Sequence, residues 1–302
     1  MQLEIASYSD TGQKRKHNED MLTIDDKLGL VAVADGMGGC QAGEVASAMA
    51  VDAIMQELSP LLKSSPFQGR MDTWMKKFSA KSNGKAIPTS QVAYLEDDDN
   101  DPDIHYATTL LKRAIVKAND VIYDISQQKT HYRGMGTTIV AALFSQQFVS
   151  IAHVGDSRLY VLRNNELILL TKDHSVIQVL IDLGVYTPEQ ARHSPKKNLL
   201  TRALGVGKTI DVDIQEYVTT PNDIYLLCSD GLNDMLEDRD ILETLSAPAK
   251  SLDELAKTLV DIANERGGDD NISVILVRPV LTEDKPKPWW QRWLPKLEIS
   301  AL

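Results

Sequence analysis

Three apolar segments of this chain each end at an aspartate that stands beside a glycine. The aspartates are Asp35, Asp156 and Asp230, which close the runs 31–35, 148–156 and 224–230. Since such runs form rigid strands and glycine leaves backbone exposed at their ends, each carboxylate is held at the edge of a sheet. One junction of this kind is ordinary turn chemistry. Its recurrence favours a single oxygen-lined metal centre.

The composition is that of a soluble globular protein, with 43% hydrophobic and 25% charged residues. Its 302 residues suffice for one large domain or two small ones. The net charge of −11 argues against a nucleic-acid partner, which favours a basic face. Six acids lie within residues 96–103, and the rest of the chain holds 37 acids against 32 bases. We interpret 80–104 as an acidic surface insertion.

Targeting signals and disulfide patterns are missing from the sequence. Cys40 and Cys228 give no disulfide framework. The N-terminus lacks the basic-then-apolar layout of a signal peptide, and no apolar run approaches the roughly 18–20 residues that cross a bilayer. We expect a cytoplasmic monomer without a transmembrane segment.

The order of the predicted elements favours an α+β fold in which helices cover antiparallel sheets. Residues 1–35 are typical of a β-hairpin or meander. Helical spacing of apolar residues predicts helices over 43–63 and 106–128. Further strands are predicted at 139–143, 148–154, 158–163, 167–170, 211–218, 223–228 and 271–277, with helices at 231–236 and 251–265. Residues 173–200 break the strand pattern and predict a projecting, partly helical lobe.

The last residues form a tail outside the domain. Residues 285–302 hold three of the four tryptophans, four bases and one glutamate. Such a tail can lie at a membrane surface or in the groove of a partner. It can equally fold back onto its own domain, which is the interpretation we favour.

The acids at the strand ends determine the chemistry that we expect. Asp35, Asp156, Asp230 and a fourth acid within 267–271 have no histidine or cysteine partners, and such a set selects Mg²⁺ or Mn²⁺ over zinc. Clustered carboxylates repel one another unless cations lie between them. Two such ions can bridge a water, lower its pKa and hold it for in-line attack on phosphorus. The Arg15 guanidinium matches phosphate oxygens in a bidentate way.

Eight short stretches then carry a family resemblance over about residues 5–278. They are Arg15 with Asn18-Glu19-Asp20, Asp35-Gly36-Met37-Gly38-Gly39, Gly136-Thr137-Thr138, 154–158, Asp173-His174-Ser175, 200–205, Ser229-Asp230-Gly231 and Asp270-Asn271. In this order they resemble the metal-dependent serine/threonine protein phosphatases of the PPM (type 2C) family, bacterial branch. The resemblance implies a phosphatase domain over 1–280, built as a central β-sandwich of two antiparallel sheets flanked by helices. It also implies a flap over 174–199 beside a binuclear Mn²⁺ or Mg²⁺ centre.

The resemblance assigns a metal role to seven residues. It implies that Asp35 bridges both ions, that the Gly36 carbonyl helps to hold the second, and that Asp230 and Asp270 complete the first site. It implies that Glu19 reaches the second site through water, with Asp20 supporting that shell. Asp156 matches the acid that, with Asp230, can hold a third and weaker ion.

The resemblance also implies how phosphate is bound and attacked. Arg15 corresponds to the phosphate clamp, the metal-bridging water attacks, and no phosphoenzyme forms. Many eukaryotic members carry histidine at the position that Met37 occupies in this chain. Bacterial members commonly have methionine there, and methionine cannot donate a proton. A metal-bound water is therefore our first candidate for the general acid, and His193 on the flap is the second.

Two other phosphate chemistries are disfavoured by the sequence. Neither cysteine is followed six residues later by arginine, which argues against a thiolate phosphatase. The run 205–209 resembles the end of a P-loop, but Arg202 stands where that pattern needs glycine, so a turn is favoured. We interpret His153, on an apolar strand, as a core histidine with a hydrogen-bond partner.

Two functions of different classes remain at this point. The first is an active phosphatase that removes phosphate from serine or threonine of phosphorylated proteins and opposes a partner serine/threonine kinase. The second is a catalytically silent binding module on the same scaffold. The metal-type acids and Arg15 favour the first, because a decayed copy would be expected to lose some of them.

Overall fold

The computed structural model describes residues 2–38, 42–62, 105–145, 148–192, 194, 198–248 and 250–280. The acidic insertion 80–104 and the tail from 281 onward lie outside the described residues, as do Cys40 and His193. What the sequence predicts for these parts stays a prediction.

Two antiparallel sheets form the centre of the described structure. The first has the order β1-β11-β10-β7-β8, and the second has the order β2-β3-β5-β6-β9, with β4 paired to β3. The strands are β1 Gln2–Asp10, β2 Asp20–Asp25, β3 Leu30–Met37, β4 Gly136–Thr137, β5 Ile139–Phe144, β6 Phe148–Val154, β7 Arg158–Arg163, β8 Glu166–Leu169, β9 Asp213–Val218, β10 Ile224–Cys228 and β11 Ile272–Val280. The predicted fold class is confirmed.

Helices cover the outer face of each sheet. They are α1 Ala42–Leu62, α2 His105–Gln128, α3 Val176–Asp182, α4 Pro188–Arg192, α5 Asp230–Asn233, α6 Asp238–Leu245 and α7 Leu252–Glu265, with a 3-10 turn at Thr130–Tyr132. One buried cluster lies between α1, α2 and the second sheet, and another lies between α6, α7 and the first sheet. A third fills the space between the sheets. The molecule therefore has four layers, α/β/β/α.

Strand β3 is buried on both faces, which explains its unbroken apolar sequence. Val31 and Val33 point into the core between the sheets, whereas Ala32 and Ala34 face the helices. A strand covered on both sides has no solvent-facing positions and so shows no polar alternation. The small side chains on the helix side let α1 approach the strand closely, through residues such as Ala46.

Two details of the sequence-based prediction are wrong. Strand β1 does not pair with β2; it lies in the other sheet against β11, with Gln2 opposite Val280. Only the β2–β3 part of the predicted hairpin exists, with Asp20 opposite Asp35. The helix predicted at 231–236 ends at Asn233, and α6 follows it as a separate, unpredicted helix.

Strand direction brings the acidic ends to one edge of the sandwich. In the second sheet β3 and β6 both run antiparallel to β5, so both end at the same edge, and β2 begins there. In the first sheet β10 ends beside the start of β11. Asp35, Asp156, Asp230 and Asp270 all belong to these ends or to the residues next to them.

Candidate active site

A pocket of about 200 Å³ lies at this edge, where the two sheets and the loop after β1 meet. Seven of the predicted site residues line it: Arg15, Glu19, Asp35, Gly36, Asp156, Asp230 and Asp270. Met37, Gly38, Thr138, Asn198 and Leu200 complete the lining. Among these residues five are acidic and Arg15 is the single cation, so the pocket is strongly electronegative with one cationic wall.

Asp35 is fixed through its backbone by the neighbouring Gly-Thr-Thr segment. Its N–H donates to Thr138 Oγ1 at 3.0 Å. Its carbonyl accepts from the Thr138 N–H and the Thr137 hydroxyl, each at 2.8 Å. Thr138 Oγ1 also bonds Ser157 Oγ at 2.7 Å. These bonds leave the Asp35 carboxylate free to face the pocket and connect it to the turn that carries Asp156.

Asp20 lies behind the pocket, directly opposite Asp35 across the β2–β3 pair. The Ser229 hydroxyl donates to Asp20 Oδ2 at 2.8 Å, whereas Asp20 Oδ1 is buried and has no partner within the described residues. Burial raises the Asp20 pKa to about 6. Asp20 is thus a buried acid that does not line the pocket, and its role toward metal stays a prediction.

The pocket acids destabilise one another in their charged forms. Burial, followed by the charges of Asp20 and Asp230, raises the pKa of Asp35 well above its usual range. Burial and the Asp156 charge do the same for the pKa of Asp230, and burial together with Asp173 raises the pKa of Asp156 to about 7. Asp230 Oδ1 is buried with no hydrogen-bond partner in the described part of the chain. Such a cluster is stable in its ionised form only when positive charge lies beside it.

Asn271 organises the loop that carries Arg15 and Glu19. Its amide group donates to the carbonyls of Thr11 at 2.8 Å and His17 at 2.9 Å, and its Oδ1 accepts from the Glu19 N–H at 2.8 Å. One side chain therefore closes the loop at three points. Arg15 Nη2 then donates to Asp270 Oδ2 at 2.6 Å, so the exposed guanidinium is directed to the pocket by the neighbour of Asn271.

Gly36 lies where no side chain fits. A Cβ on Gly36 would lie 2.2 Å from the Gly43 carbonyl oxygen and 2.6 Å from that of Glu19. The Gly36 N–H donates to the Glu19 carbonyl at 3.2 Å, and the Ser47 hydroxyl of α1 donates to the same oxygen at 2.6 Å. Helix α1, the Glu19 loop and β3 are thereby packed backbone to backbone at the pocket.

The donor set of the pocket fits hard divalent cations. Its lining offers five carboxylates without imidazole or thiolate, and Mg²⁺ and Mn²⁺ prefer such oxygen ligands. The raised pKa values and the unpartnered oxygen of Asp230 point the same way. Within the described residues, the one tight cluster of three potential ligands, with donor atoms within 4.8 Å, is His153, His174 and Asp213 instead. The pocket acids are spaced more widely, as suits ions such as Mg²⁺ that keep several water ligands.

Three residues that position the site were quoted in the sequence motifs without a role. They are Thr138, Ser229 and Asn271. Each acts through a hydrogen bond to a residue far away along the chain. For Ser229 and Asn271, the available sequence signal was that each stands next to an acidic residue. Met37 lines the pocket where a proton donor would have been useful.

Comparison with known proteins agrees with this geometry. The family model described as protein phosphatase 2C matches residues 12–276. The chain belongs to the protein phosphatase 2C family. It is 37% identical over 278 residues to the serine/threonine phosphatase stp of Listeria monocytogenes serotype 4b, covering 91% of this chain and 95% of that protein.

Solved structures of 2C-type phosphatases share the fold. The serine/threonine phosphatase PstP/Ppp of Mycobacterium tuberculosis has a TM-score of 0.72 and 33% identity, over 92% of this chain and 99% of that one. A catalytic domain of PstP in complex with two manganese ions has a TM-score of 0.69 and 31% identity, over 92% and 98%. The predicted family, with its two antiparallel sheets and covering helices, is therefore confirmed.

The thiolate chemistry set aside on sequence grounds is disfavoured for Cys228 by its burial as well. Cys228 is buried at the end of β10, and burial raises the pKa of its thiol to about 12. A thiol of this kind carries almost no thiolate at neutral pH.

As for membranes, none of the described helices combines the length and apolarity that crossing a bilayer requires.

Proposed function

We propose that this protein is a metal-dependent protein phosphatase that hydrolyses phosphoserine and phosphothreonine in other proteins. The observation that carries the proposal is the arrangement of the pocket, where five carboxylates face a single guanidinium across about 200 Å³. The family and the names of its relatives support the same reaction.

The pocket residues are proposed to hold two Mn²⁺ or Mg²⁺ ions, with a third, weaker ion near Asp156 and Asp230. Asp35 would be shared between the two ions, with the Gly36 carbonyl, Asp230, Asp270 and, through water, Glu19 as the further ligands. The two manganese ions bound to PstP support this stoichiometry. Bound ions of this kind neutralise charge at phosphorus and lower the pKa of water that attacks it.

The chain's own groups then bind and orient the substrate. Arg15 is proposed to bind two phosphate oxygens through its fork of N–H donors. Its ion pair with Asp270 places the guanidinium at the pocket. The side chain of Met37 excludes water without donating a proton, so the leaving alkoxide must receive its proton from another source. Water beside the proposed ions is our first candidate for that source, and His193 is the second.

The cellular setting follows from the proposed substrates. Phosphoproteins are made by ATP-dependent kinases, so we propose a serine/threonine kinase as the opposing enzyme and the cytoplasm as the location. We also propose that residues 1–280 form the phosphatase domain. The tail 281–302 would contact a membrane surface, a partner or the domain itself.

Asp230→Asn provides the direct test of the reaction. The variant keeps the shape of the side chain and removes a repelled buried charge, so we expect it to fold. It should lower Mn²⁺-dependent hydrolysis of a phosphothreonine peptide by at least about a thousandfold, since it removes a carboxylate that serves the ions. Circular dichroism and thermal melting check the fold. Asp253→Asn, an exposed acid on α7, is the matched control and should retain full activity.

The silent-module alternative makes the opposite prediction. Wild-type protein that hydrolyses none of several phosphopeptides with either Mn²⁺ or Mg²⁺ would contradict the enzyme. Equal activity in wild type and Asp230→Asn would contradict the assignment of the site.

A further inference from the structure

His174 holds the turn that carries Asp156 through two hydrogen bonds, both to Gly155. The Gly155 N–H donates to His174 Nδ1 at 3.1 Å, and the His174 N–H donates to the Gly155 carbonyl at 2.9 Å. Gly155 has φ +108°, and a Cβ there would lie 2.6 Å from Thr138 Cβ. The turn thus has a backbone conformation that favours glycine, packs closely against Thr138 and is hydrogen-bonded to His174.

Asp213 lies at the other ring nitrogen of His174. Asp213 Oδ2 is 3.3 Å from His174 Nε2, and Arg202 Nη1 donates to the second oxygen, Oδ1, at 2.5 Å. The contact with His174, followed by the hydrogen bond from Arg202, lowers the pKa of Asp213, which is therefore ionised at neutral pH. Contacts thus run in series from Arg202 through Asp213 and His174 to Gly155, at the turn that carries Asp156.

The partners of His174 determine where its ring proton lies. Nδ1 faces a backbone N–H, which can only donate, so this nitrogen must be the acceptor. The proton of the neutral ring is then on Nε2, facing the carboxylate of Asp213. The distance and orientation make this contact loose, and Nε2 has no hydrogen bond of good geometry within the described residues. The carboxylate selects the tautomer that can accept from Gly155.

His153 packs against the ring of His174. It lies directly opposite Asp213 across the β6–β9 pair, and its ring stacks on His174 with centroids 4.6 Å apart. Its Nε2 donates to the Lys172 carbonyl at 2.9 Å, and burial lowers its pKa to about 4. Because the His153 ring is neutral, it places no positive charge against the ring of His174.

A metal ion is the competing explanation for three such side chains so close together. It is disfavoured because His174 Nε2 carries the proton for as long as Gly155 donates to Nδ1, and a ligating nitrogen has to be unprotonated. Arg202 also occupies one oxygen of Asp213. The cluster is therefore better described as a relay of contacts from Asp213 through His174 to Gly155 than as a metal site.

We propose that His174 and Asp213 are positioning residues for the active site: Asp213 fixes the His174 tautomer, and His174 in turn fixes the Gly155–Asp156 turn. His174 also joins this turn to the base of the flap, since its carbonyl accepts from the Thr201 N–H at 2.8 Å and Ser175 pairs with Leu200. Leu200 lines the pocket. The consequence for catalysis rests on the proposed function, in which Asp156 helps to hold the weaker ion.

Asp213→Asn tests the relay by replacing one carboxylate oxygen with an amide NH₂ group. The guanidinium of Arg202 can only donate, so the new amide gives its oxygen to Arg202 and turns its NH₂ group toward His174. His174 must then accept at Nε2 and carry its proton on Nδ1, where it faces the Gly155 N–H. We expect nitrogen NMR of the labelled full chain to show protonated Nε2 in the wild type and protonated Nδ1 in the variant. The His174→Gln variant identifies the signals by their loss.

Metal dependence supplies the second readout. Mutation of a residue that hydrogen-bonds to a metal ligand typically lowers metal affinity by about 10–100-fold. We expect Asp213→Asn to raise the Mn²⁺ concentration for half-maximal activity about tenfold. The KM for a phosphothreonine peptide at saturating Mn²⁺ should stay within about twofold, because Asp213 lies outside the pocket lining.

Asp211→Asn is the matched control, since Asp211 is the more distant partner of Arg202, 3.8 Å away, and is 83% exposed. It should change neither the tautomer nor the Mn²⁺ requirement. A wild-type ring protonated on Nδ1, or an Asp213→Asn protein with unchanged tautomer, would overturn the relay. A Zn²⁺-dependent shift of the ring nitrogens of both histidines in excess Mg²⁺ would overturn it in favour of a metal site. The NMR result stands even if no phosphatase activity is found, so the two proposals fail separately.

Discussion

At the scale of single residues, the site depends on one cation among several acids. Among the described residues that line the pocket, Arg15 is the sole positive side chain, and it is half exposed with Asp270 as its fixed partner. Lysine in its place would retain the charge and lose the planar fork. The geometry of the donors, more than the charge, should therefore decide how well phosphate binds.

We predict that Arg15→Lys raises the KM for a phosphothreonine peptide roughly tenfold and lowers kcat less, because bidentate recognition is lost. Steady-state kinetics at saturating Mn²⁺ measure both. Lys14 is the control: it is an exposed neighbour paired with Asp269, and Lys14→Arg should be neutral. An unchanged KM in Arg15→Lys would remove Arg15 from phosphate binding.

Gly36 tests close backbone packing at the same scale. We predict that Gly36→Ala lowers the thermal midpoint by several degrees, because the new methyl group overlaps backbone atoms of Gly43 and Glu19 that have no room to move. Gly207→Ala is a milder comparison, since its nearest atom is 3.2 Å away. Equal melting of the two variants would show that α1 can shift away from β3 without cost.

At the scale of elements, the loop between β1 and β2 has little structure of its own and depends on a residue of the last strand region. Three bonds from Asn271 close the loop. The loop carries Arg15 and Glu19, so its order should determine the order of the site. Asn271 itself is buried and the three bonds are part-buried, so their joint loss is expected to cost about 1–3 kcal/mol.

We therefore predict that Asn271→Ala destabilises the fold by about 1–3 kcal/mol and speeds hydrogen exchange in residues 11–19. It should also raise the KM of the phosphopeptide. Asn119→Ala is the matched control, because Asn119 is a buried asparagine with bonds to Gly205 and Gly207 far from this loop. It should cost similar stability without faster exchange in 11–19. Indistinguishable exchange patterns would contradict the role of Asn271.

At the scale of the whole molecule, burial of the acidic cluster makes stability depend on pH and on metal. Without metal, the folded state raises the pKa of Asp156 to about 7 and the pKa values of Asp35 and Asp230 well above the ordinary value of 3.8. Between the ordinary and raised values the folded state holds more protons than the unfolded state. Stability therefore falls as pH rises through this window.

We predict that the thermal midpoint in EDTA falls by about 3 °C or more between pH 6.5 and pH 8. This range lies above the region where neutral, buried His153 contributes the opposite slope. Mn²⁺ should raise the midpoint most at pH 8, because it compensates the ionised carboxylates. Differential scanning calorimetry measures both effects, and Asp156→Asn should flatten the slope. A midpoint that rises with pH in EDTA would contradict the buried cluster.

Much of the architecture could be predicted because its signals are local. Strands such as β3 show a continuous apolar run, and α1 and α2 show helical spacing. The partner of β1 could not be predicted in this way, because β11 begins more than 260 residues later along the chain. Helix α6 was missed because it has only eight residues and begins soon after α5, at Asp238.

The sequence by itself determined which chemical groups are available: strand-end carboxylates, one arginine, a methionine in place of a proton donor and the family motifs that contain them. Each of these groups lies within a short segment and can be recognised from the local sequence. The tertiary structure alone decided how those groups are held. The Asn271 bonds span 252 to 260 residues, and Asp213 acts on Asp156 through His174, which comes from a third segment. Contacts between distant segments depend on strand register and side-chain direction, and neither leaves a mark in the local sequence.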